Sequence, residues 1–162
     1  MARRYWLLKS DPETFSFEDL KSSPRRTTCW DGVRNYQARN YLRDEIRVGD
    51  GVLFYHSQSD PPAAVGTARV VRSGYPDPTQ FDRRSRSHDP GSDPAEPRWY
   101  AVDIRLEREF ARPVTLGEMR HAPRLAGMAL LRRGSRLSVQ PVLAAEWAEV
   151  LRLASRRTEA GR

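Results

Sequence analysis

Cysteine and histidine are scarce in this chain. Cys29 is the single cysteine, which excludes an internal disulfide and a cysteine-based zinc site. The three histidines, His56, His88 and His121, show no metal-ligand spacing. A single thiol fits a reducing compartment. We therefore expect a cytoplasmic protein that uses no metal and no other cofactor.

Long apolar runs and the common catalytic motifs are also missing. The apolar residues 5–8 are too few for a signal peptide or a membrane span, so neither secretion nor membrane insertion is indicated. The phosphate loop G-x-x-x-x-G-K-[ST], the nucleophile elbow G-x-S-x-G and the zinc motif H-E-x-x-H do not occur. Cys29 stands beside Trp30 in an apolar run, where a thiol is more often inert than nucleophilic. These absences disfavour an enzyme.

Lysine is nearly absent although the chain is strongly basic. The sequence holds 28 Lys plus Arg against 21 Asp plus Glu, a formal net charge of +7, and its lysines are Lys9 and Lys21 alone. Arginine pairs with phosphate through a planar fork and stacks on bases, which favours a nucleic-acid partner. A GC-rich genome would also enrich arginine without functional meaning, so composition leaves both explanations open.

Apolar segments bounded by turn residues predict about six short strands in one domain. A chain of 162 residues that is 38% hydrophobic can bury a core of that size. The strands do not alternate with long helices, so we predict an α+β fold: a small mixed β-barrel with peripheral helices. The domain is expected to span residues 1–154, with a flexible tail at 155–162 and a long surface loop at 74–97. The predicted strands are 5–8, 27–30, 52–55, 63–71, 99–106 and 137–140, and the predicted helices 17–20, 36–43, 115–121 and 143–154.

Residues 30–41 combine aromatic, amide and guanidinium side chains over about one strand and one short helix. A pocket for a flat heterocyclic base needs a stacking face, a planar donor and acceptor, and cations for the neighbouring phosphates. Trp30 and Asn35 offer the first two, and Arg34 and Arg39 the third. Asn35 is also placed to cap the helix that follows. A buried tryptophan is usually a plain core aromatic, so the position of Trp30 decides the matter.

A second basic segment lies near the C-terminal end of the chain. Arg132, Arg133 and Arg136 surround Gly134, at a turn whose backbone N–H groups can face an anion. The polar residues of the neighbouring strand 137–140 support phosphate contact. The alternative is a basic turn that faces only solvent.

The motifs resemble the EVE domain, a branch of the PUA-like barrels related to the YTH readers of methylated adenine. The resemblance spans about residues 4–151. It implies a barrel with a pocket for a modified base: cytosine methylated or hydroxymethylated at carbon five in DNA, or a modified base in RNA. The segments that carry it are YWLLKSDP (5–12), WDGVRNYQARN (30–40), FYHS (54–57), YPDPTQFD (75–82), PRWY (97–100) and residues 128–141.

The resemblance also implies roles for particular residues. Trp30 matches the aromatic wall of the pocket, and Asn35 sits where related readers place a base-contacting amide. The chain departs from the family in its loop, where Ser87 and His88 replace frequent tyrosines, so stacking from that loop is not expected. The remaining pocket positions implied are Lys9 and Ser10 on the first strand, Tyr55, His56 and Ser57 at a strand end, and Ser138 and Gln140 on the last strand.

The sequence therefore predicts a non-catalytic, monomeric module that binds one modified base of a nucleic acid. The base would stack on Trp30 and meet Ser10 and Asn35 with its edge. One alternative is an enzyme, or enzyme subunit, that acts on modified nucleic acid or a nucleotide through Cys29, His56 or a carboxylate. Another is a scaffold for a small ligand or a protein, whose affinity for nucleic acid would be absent or independent of salt.

Overall fold

The protein forms an α+β fold in a computed structural model that describes residues 3–156. Six strands form one sheet, and four α-helices pack around it, which confirms the α+β part of the predicted fold class. The strands are β1 (Tyr5–Ser10), β2 (Thr27–Trp30), β3 (Gly51–His56), β4 (Ala63–Pro76), β5 (Tyr100–Thr115) and β6 (Val139–Val142). The helices are α1 (Phe17–Ser22), α2 (Tyr36–Asn40), α3 (Leu116–Arg120) and α4 (Ala144–Ser155).

The sheet has the strand order β2-β5-β4-β3-β1-β6. Strands β1 and β3 pair in parallel, with Ser10 opposite His56, and the other neighbours are antiparallel. Within residues 3–156, β2 and β6 each have one sheet neighbour and do not pair with each other. The predicted barrel is therefore not confirmed, because the ladder ends at two edges.

Both faces of the sheet are covered, as the alternation of side chains along its strands shows. Trp6 and Leu8 of β1 pack with α1 and α2 in one core cluster, whereas the intervening Leu7 packs in a second cluster with α3 and α4. Phe54 and its neighbour Leu53 in β3 divide between the clusters in the same way. Because successive strand residues point to opposite faces, the central strands are apolar on both sides.

The helix starts agree with the sequence, whereas several strand limits differ. Ser16 and Asp19 form the capping box of α1, and Thr115 caps α3. Helix α2 continues as a π-helical turn, Tyr41–Glu45. Strands β4 and β5 are longer than predicted, and β6 starts two residues later. Helix α4 reaches Ser155, the first residue of the predicted tail, and residues 157–162 of that tail lie outside the described part.

No helix within residues 3–156 combines the length and the apolar character that crossing a bilayer requires.

Candidate functional site

A cavity of about 450 Å³ lies between the two edges of the sheet. The C-terminal end of β2 lines one side, and Lys9 and Ser10 at the end of β1, with Ser138 just before β6, line the other. Its volume is within the range of small-ligand pockets. We call it the base cavity; its lining also includes Asp11, Thr14, Phe15, Thr28, Cys29 and residues 31–34.

Trp30 borders the base cavity but is largely buried. The side chain is 8% exposed, and the Phe54 ring packs edge-on against it with centroids 5.4 Å apart. The Phe15 ring approaches at 6.4 Å, also edge-on. Trp30 is thus a core aromatic and a cavity wall together, and it presents a limited part of its ring to the cavity rather than an open face.

Lys9 and Asp31 are two of the four charged side chains that border the base cavity. The pKa of Lys9 is lowered because burial disfavours its ammonium. The pKa of Asp31 is raised, first by partial desolvation and then by the nearby Asp77 carboxylate, and Arg34 offsets part of this effect. Both charges are therefore held at some electrostatic cost, and each is relieved when a ligand supplies the complementary group.

A buried carboxylate in the loop between β4 and β5 fixes the cavity segment 31–34. Asp77 is fully buried; its Oδ2 accepts hydrogen bonds from the Gly32 N–H at 2.8 Å and from Arg34 Nη1 at 2.9 Å. Its Oδ1 accepts from the backbone and hydroxyl of Thr79. Burial alone would raise the pKa of Asp77, but the bonds from Thr79, Gly32 and Arg34 together lower it. Asp77 is therefore ionised and anchors this wall of the cavity.

Arg34 belongs to the same anchor. Its guanidinium donates to the Ser87 and Val33 carbonyl oxygens, to Asp77 and to Thr79 Oγ1. The structure therefore gives Arg34 protein partners where the sequence predicted phosphate. Gly32 has a φ of +80°, and a Cβ there would lie 3.1 Å from Ser87 Oγ, so both conformation and space favour glycine.

A second cavity of about 500 Å³ adjoins the base cavity at Lys9, which lines both. Arg132, Arg133 and Gly134 of the predicted basic turn form part of its wall. Gly134 has a φ of +75°, as such a turn requires. We call it the basic cavity; its other polar lining residues are Tyr55, Ser57, Gln58, Arg120 and Ser135.

Three predicted pocket residues have structural roles instead. Asn35 accepts the Ala38 N–H at 3.0 Å and caps α2. His56 Nε2 accepts the Phe17 N–H at the start of α1, and burial lowers the pKa of this imidazole, which keeps the accepting nitrogen free of a proton. Gln140 is 1% exposed and donates to Ser135 Oγ and the Leu137 carbonyl. None of the three lines the base cavity or the basic cavity.

The remaining predictions divide between the two cavities and other surfaces. Lys9, Ser10, Trp30 and Ser138 meet at the base cavity, although the Ser10 hydroxyl already donates to the Phe15 carbonyl. Tyr55, Ser57, Arg132 and Arg133 line the basic cavity. Arg136 is exposed and lies outside both, and Arg39 belongs to α2 and lines a third cavity.

Sequence reasoning missed Asp31, Phe15 and Arg120. Asp31 stands within the WDG motif, and its contiguity with Trp30 was the available signal. Phe15 and Arg120 carried no comparable signal, because both lie outside the motifs on which the prediction was based and reach the cavities only through the fold.

The side chains that a catalytic mechanism would need are poorly placed. Burial raises the pKa of the Cys29 thiol to about 11, so little nucleophilic thiolate exists at neutral pH. Within residues 3–156, no group of three or more His, Cys, Asp and Glu side chains is arranged to hold a metal ion. A thiolate mechanism at this cavity is therefore disfavoured.

Comparison with known proteins places this geometry in a family. The family model described as the EVE domain matches residues 4–153. Thymocyte nuclear protein 1 from Danio rerio is 43% identical over 91% of this chain and 71% of its own length; the Homo sapiens protein is 40% identical over 92% and 73%.

Solved structures agree with this assignment. The human THYN1 protein, in complex with DNA that contains 5-methylcytosine, has a TM-score of 0.89 at 39% identity, covering 96% of this chain and 99% of that one. A protein from Pseudomonas syringae has a TM-score of 0.87 at 42% identity, covering 93% of this chain and 99% of that one.

The relatives named thymocyte nuclear protein contradict the expected cytoplasmic location, and that expectation is wrong. The family model and these relatives together show that the chain belongs to the EVE domain family.

Proposed function

We propose that this protein is a non-catalytic reader that holds one modified cytosine of DNA in the base cavity. The observation that carries the proposal is the cavity itself, which combines aromatic and apolar walls with the Asp31 carboxylate and the Lys9 ammonium. The human relative whose structure contains 5-methylcytosine DNA supports cytosine as the base. One copy of the chain supplies both cavities, so a monomer is sufficient.

The walls of the base cavity suit a methylated pyrimidine. Phe15, Trp30 and Val33 offer apolar surface for a ring and its methyl group. Burying one methyl group is worth about 0.8 kcal/mol, which corresponds to about a fourfold preference over plain cytosine. This gain adds to base stacking and does not depend on an open tryptophan face.

In this proposal Asp31 contacts the base, and Lys9 contacts the phosphate beside it. A carboxylate at the rim accepts a hydrogen bond from the exocyclic amino group of cytosine, which thymine lacks. Lys9 stands where the two cavities meet, so its ammonium can contact the phosphate next to the bound base. Arg132 and Arg133 then hold the following phosphate in the basic cavity.

Binding to a panel of matched oligonucleotides tests this function. The panel contains 5-methylcytosine DNA, plain DNA and the corresponding RNA pair, and fluorescence anisotropy measures each dissociation constant. We expect the native protein to prefer the methylated DNA. Trp30→Leu keeps an apolar side chain in the core but removes the aromatic wall, and it should weaken binding about tenfold and reduce the preference.

Trp30 packs against Phe54, so Trp30→Leu also lowers stability, and thermal unfolding must show a folded variant before its affinity is compared. Val48→Ala, at an exposed apolar side chain outside the cavities, is the control. An unchanged preference in folded Trp30→Leu would refute the base assignment. If the protein prefers the methylated strand only in RNA, its ligand is RNA and not DNA. If the protein changes the oligonucleotide chemically, the enzyme alternative is favoured.

A further inference from the structure

An exposed aromatic ring stands beside the base cavity, on the first residue of α2. Tyr36 is 54% exposed, and its ring stacks on Trp99 with centroids 4.9 Å apart and planes 28° apart. Trp99 is buried, and its indole N–H donates to Asp89 Oδ2 at 2.7 Å. Because the ring beneath it is fixed, Tyr36 presents an ordered aromatic surface to solvent.

One arginine lies over this ring, and two more line the same surface. The Arg39 guanidinium carbon is 5.0 Å from the Tyr36 ring centroid, and Arg39 Nη1 donates to the Arg98 carbonyl at 2.7 Å. Arg43 lies 5.9 Å from the centroid of Tyr100. Tyr36, Arg39, Arg43, Arg98 and Tyr100 line a cavity of about 610 Å³, which we call the Tyr36 surface.

The charges of the Tyr36 surface differ between its sides. Arg43 pairs with Asp44 and Arg98 with Asp89, whereas no ion pair within residues 3–156 involves Arg39. The carboxylates of Asp93 and Glu96 belong to the loop side of the cavity. A phosphate is therefore favoured near Arg39 on the helix side, with the attached base against Tyr36.

One short segment, residues 34–36, connects the base cavity to the Tyr36 surface. Arg34 lines the base cavity, and its guanidinium carbon also lies 5.3 Å from the Trp99 ring centroid. One residue separates Arg34 from Tyr36, so their Cα atoms are at most about 7 Å apart. A strand with one base in the base cavity therefore passes close to the Tyr36 ring.

We propose that the Tyr36 surface is a second nucleic-acid contact, which stacks an unpaired base next to the recognised one whatever its identity. The path of the strand rests on the proposed function, whereas the contact itself does not. Stacking on an aromatic ring tolerates every base, because each base has a π face, and a nearby guanidinium adds phosphate contact. The Tyr36 surface thus contributes affinity without sequence preference.

Anisotropy titrations with single-stranded DNA, with and without one 5-methylcytosine, test the second contact. Tyr36→Leu keeps an apolar cover over Trp99 but removes the aromatic face, and it should weaken binding to both oligonucleotides about tenfold. The ratio of the two affinities should stay as in the native protein. Tyr36→Phe should bind almost as tightly as the native protein, since it retains the ring. Val48→Ala serves as the control for loss of an exposed apolar side chain.

Each outcome decides one question. Unchanged binding by folded Tyr36→Leu overturns the second contact, and would leave a peptide partner as the better occupant of the Tyr36 surface. Loss of the methylation preference with unchanged overall affinity also overturns it, because Tyr36 would then act in base recognition. A native protein without any methylation preference, but weakened by Tyr36→Leu, refutes the proposed reader and supports the second contact.

Discussion

Asp31 is a carboxylate placed where its ionised form is unfavourable in the free protein. Its pKa is raised by partial desolvation and by Asp77, and Arg34 relieves this only in part. Asp31 is exposed, so this cost is small, but a carboxylate farther from Asp77 would avoid it. The position of Asp31 is therefore explained better by a ligand that donates a hydrogen bond than by stability.

Replacing Asp31 should separate its effect on the stability of the free protein from its effect on ligand binding. We expect Asp31→Asn to raise the melting temperature of the free protein at neutral pH, because the unfavourable charge disappears. Folded Asp31 binds its proton more tightly than the unfolded chain does. The cost is therefore present above the raised pKa, and it decreases as the pH falls through that pKa towards the ordinary 3.8. The gain from Asp31→Asn should shrink over the same acidic range.

Binding completes this test. Asp31→Ala should lose about tenfold in the preference for methylated cytosine over thymine, because the acceptor for the exocyclic amino group is removed. Thermal unfolding across pH measures the effect on stability, and anisotropy with oligonucleotides that carry either 5-methylcytosine or thymine measures the effect on binding. An Asp31→Asn variant less stable than the native protein at neutral pH would show that Asp31 is a structural residue.

Single residues show where sequence reasoning reaches its limit. Trp30 and Ser138, both predicted for the pocket, line one cavity, because Trp30 ends edge strand β2 and Ser138 precedes edge strand β6. Asn35 and His56 were placed in the pocket, yet each accepts a backbone N–H at a helix start. A polar side chain can satisfy a local backbone group or a ligand, and sequence alone does not tell which demand is met.

At the scale of elements, the loop between β4 and β5 is part of the site rather than a simple connection. Gln80 is fully buried; its amide nitrogen donates to the Trp99 carbonyl and its amide oxygen accepts the Trp99 N–H. Asp77 and Ser87 hold Arg34, which fixes one wall of the base cavity. The loop thereby supports Trp99 and the base cavity from outside the sheet.

Asp77→Asn tests this support. The substitution should lower the free energy of unfolding by about 2 kcal/mol at neutral pH, because charge-assisted hydrogen bonds from Arg34, Gly32 and Thr79 weaken. The pKa of Asp77 is lowered, so its contribution is complete above the ordinary 3.8 and is lost as the pH falls through the folded-state pKa. Urea unfolding measures both the size and the pH dependence.

Asp82→Asn is the matched control, since Asp82 lies in the same loop but is exposed. Its unfolding free energy should stay close to the native value. Equal losses in Asp77→Asn and Asp82→Asn would contradict a specific role for Asp77 in holding the cavity segment.

The elements themselves were more predictable than this loop. Apolar alternation and turn residues located all six strands, and capping residues located the starts of α1, α2 and α3. The segment 74–97 was predicted as a surface loop, because its proline and aspartate residues are typical of turns. Its buried Asp77 and Gln80 depend on partners far along the chain, which local pattern cannot reveal.

At the scale of the whole molecule, the base cavity lies where the sheet fails to close. Residues 28–30 of edge strand β2 and Ser138, next to edge strand β6, line the same cavity. Backbone groups along an unpaired edge are free to contact a ligand, which a closed barrel would not allow. The departure from the predicted barrel thus leaves a cavity between the edges, which the proposed function fills with a base.

The number of phosphates that the protein neutralises determines how its affinity for nucleic acid depends on salt. Each phosphate neutralised on duplex DNA contributes about 0.9 to the slope of the logarithm of affinity against the logarithm of salt concentration, and about 0.7 on a single strand. Arg132→Ala and Arg133→Ala should each reduce that slope by about one phosphate contact, because both residues line the basic cavity. Trp30→Leu should lower affinity without changing the slope, since stacking releases no counterions.

Anisotropy at four or more salt concentrations measures these slopes. Arg124→Ala is the charge-matched control, because Arg124 is exposed and lies outside both cavities. If Arg124→Ala lowers the slope as much as Arg132→Ala, the overall charge and not the basic cavity attracts the phosphate backbone. If only Arg132→Ala and Arg133→Ala lower the slope, the phosphates of the bound strand pass through the basic cavity. Lys9, which lines both cavities, then marks the point at which the recognised base turns out of the strand into the base cavity.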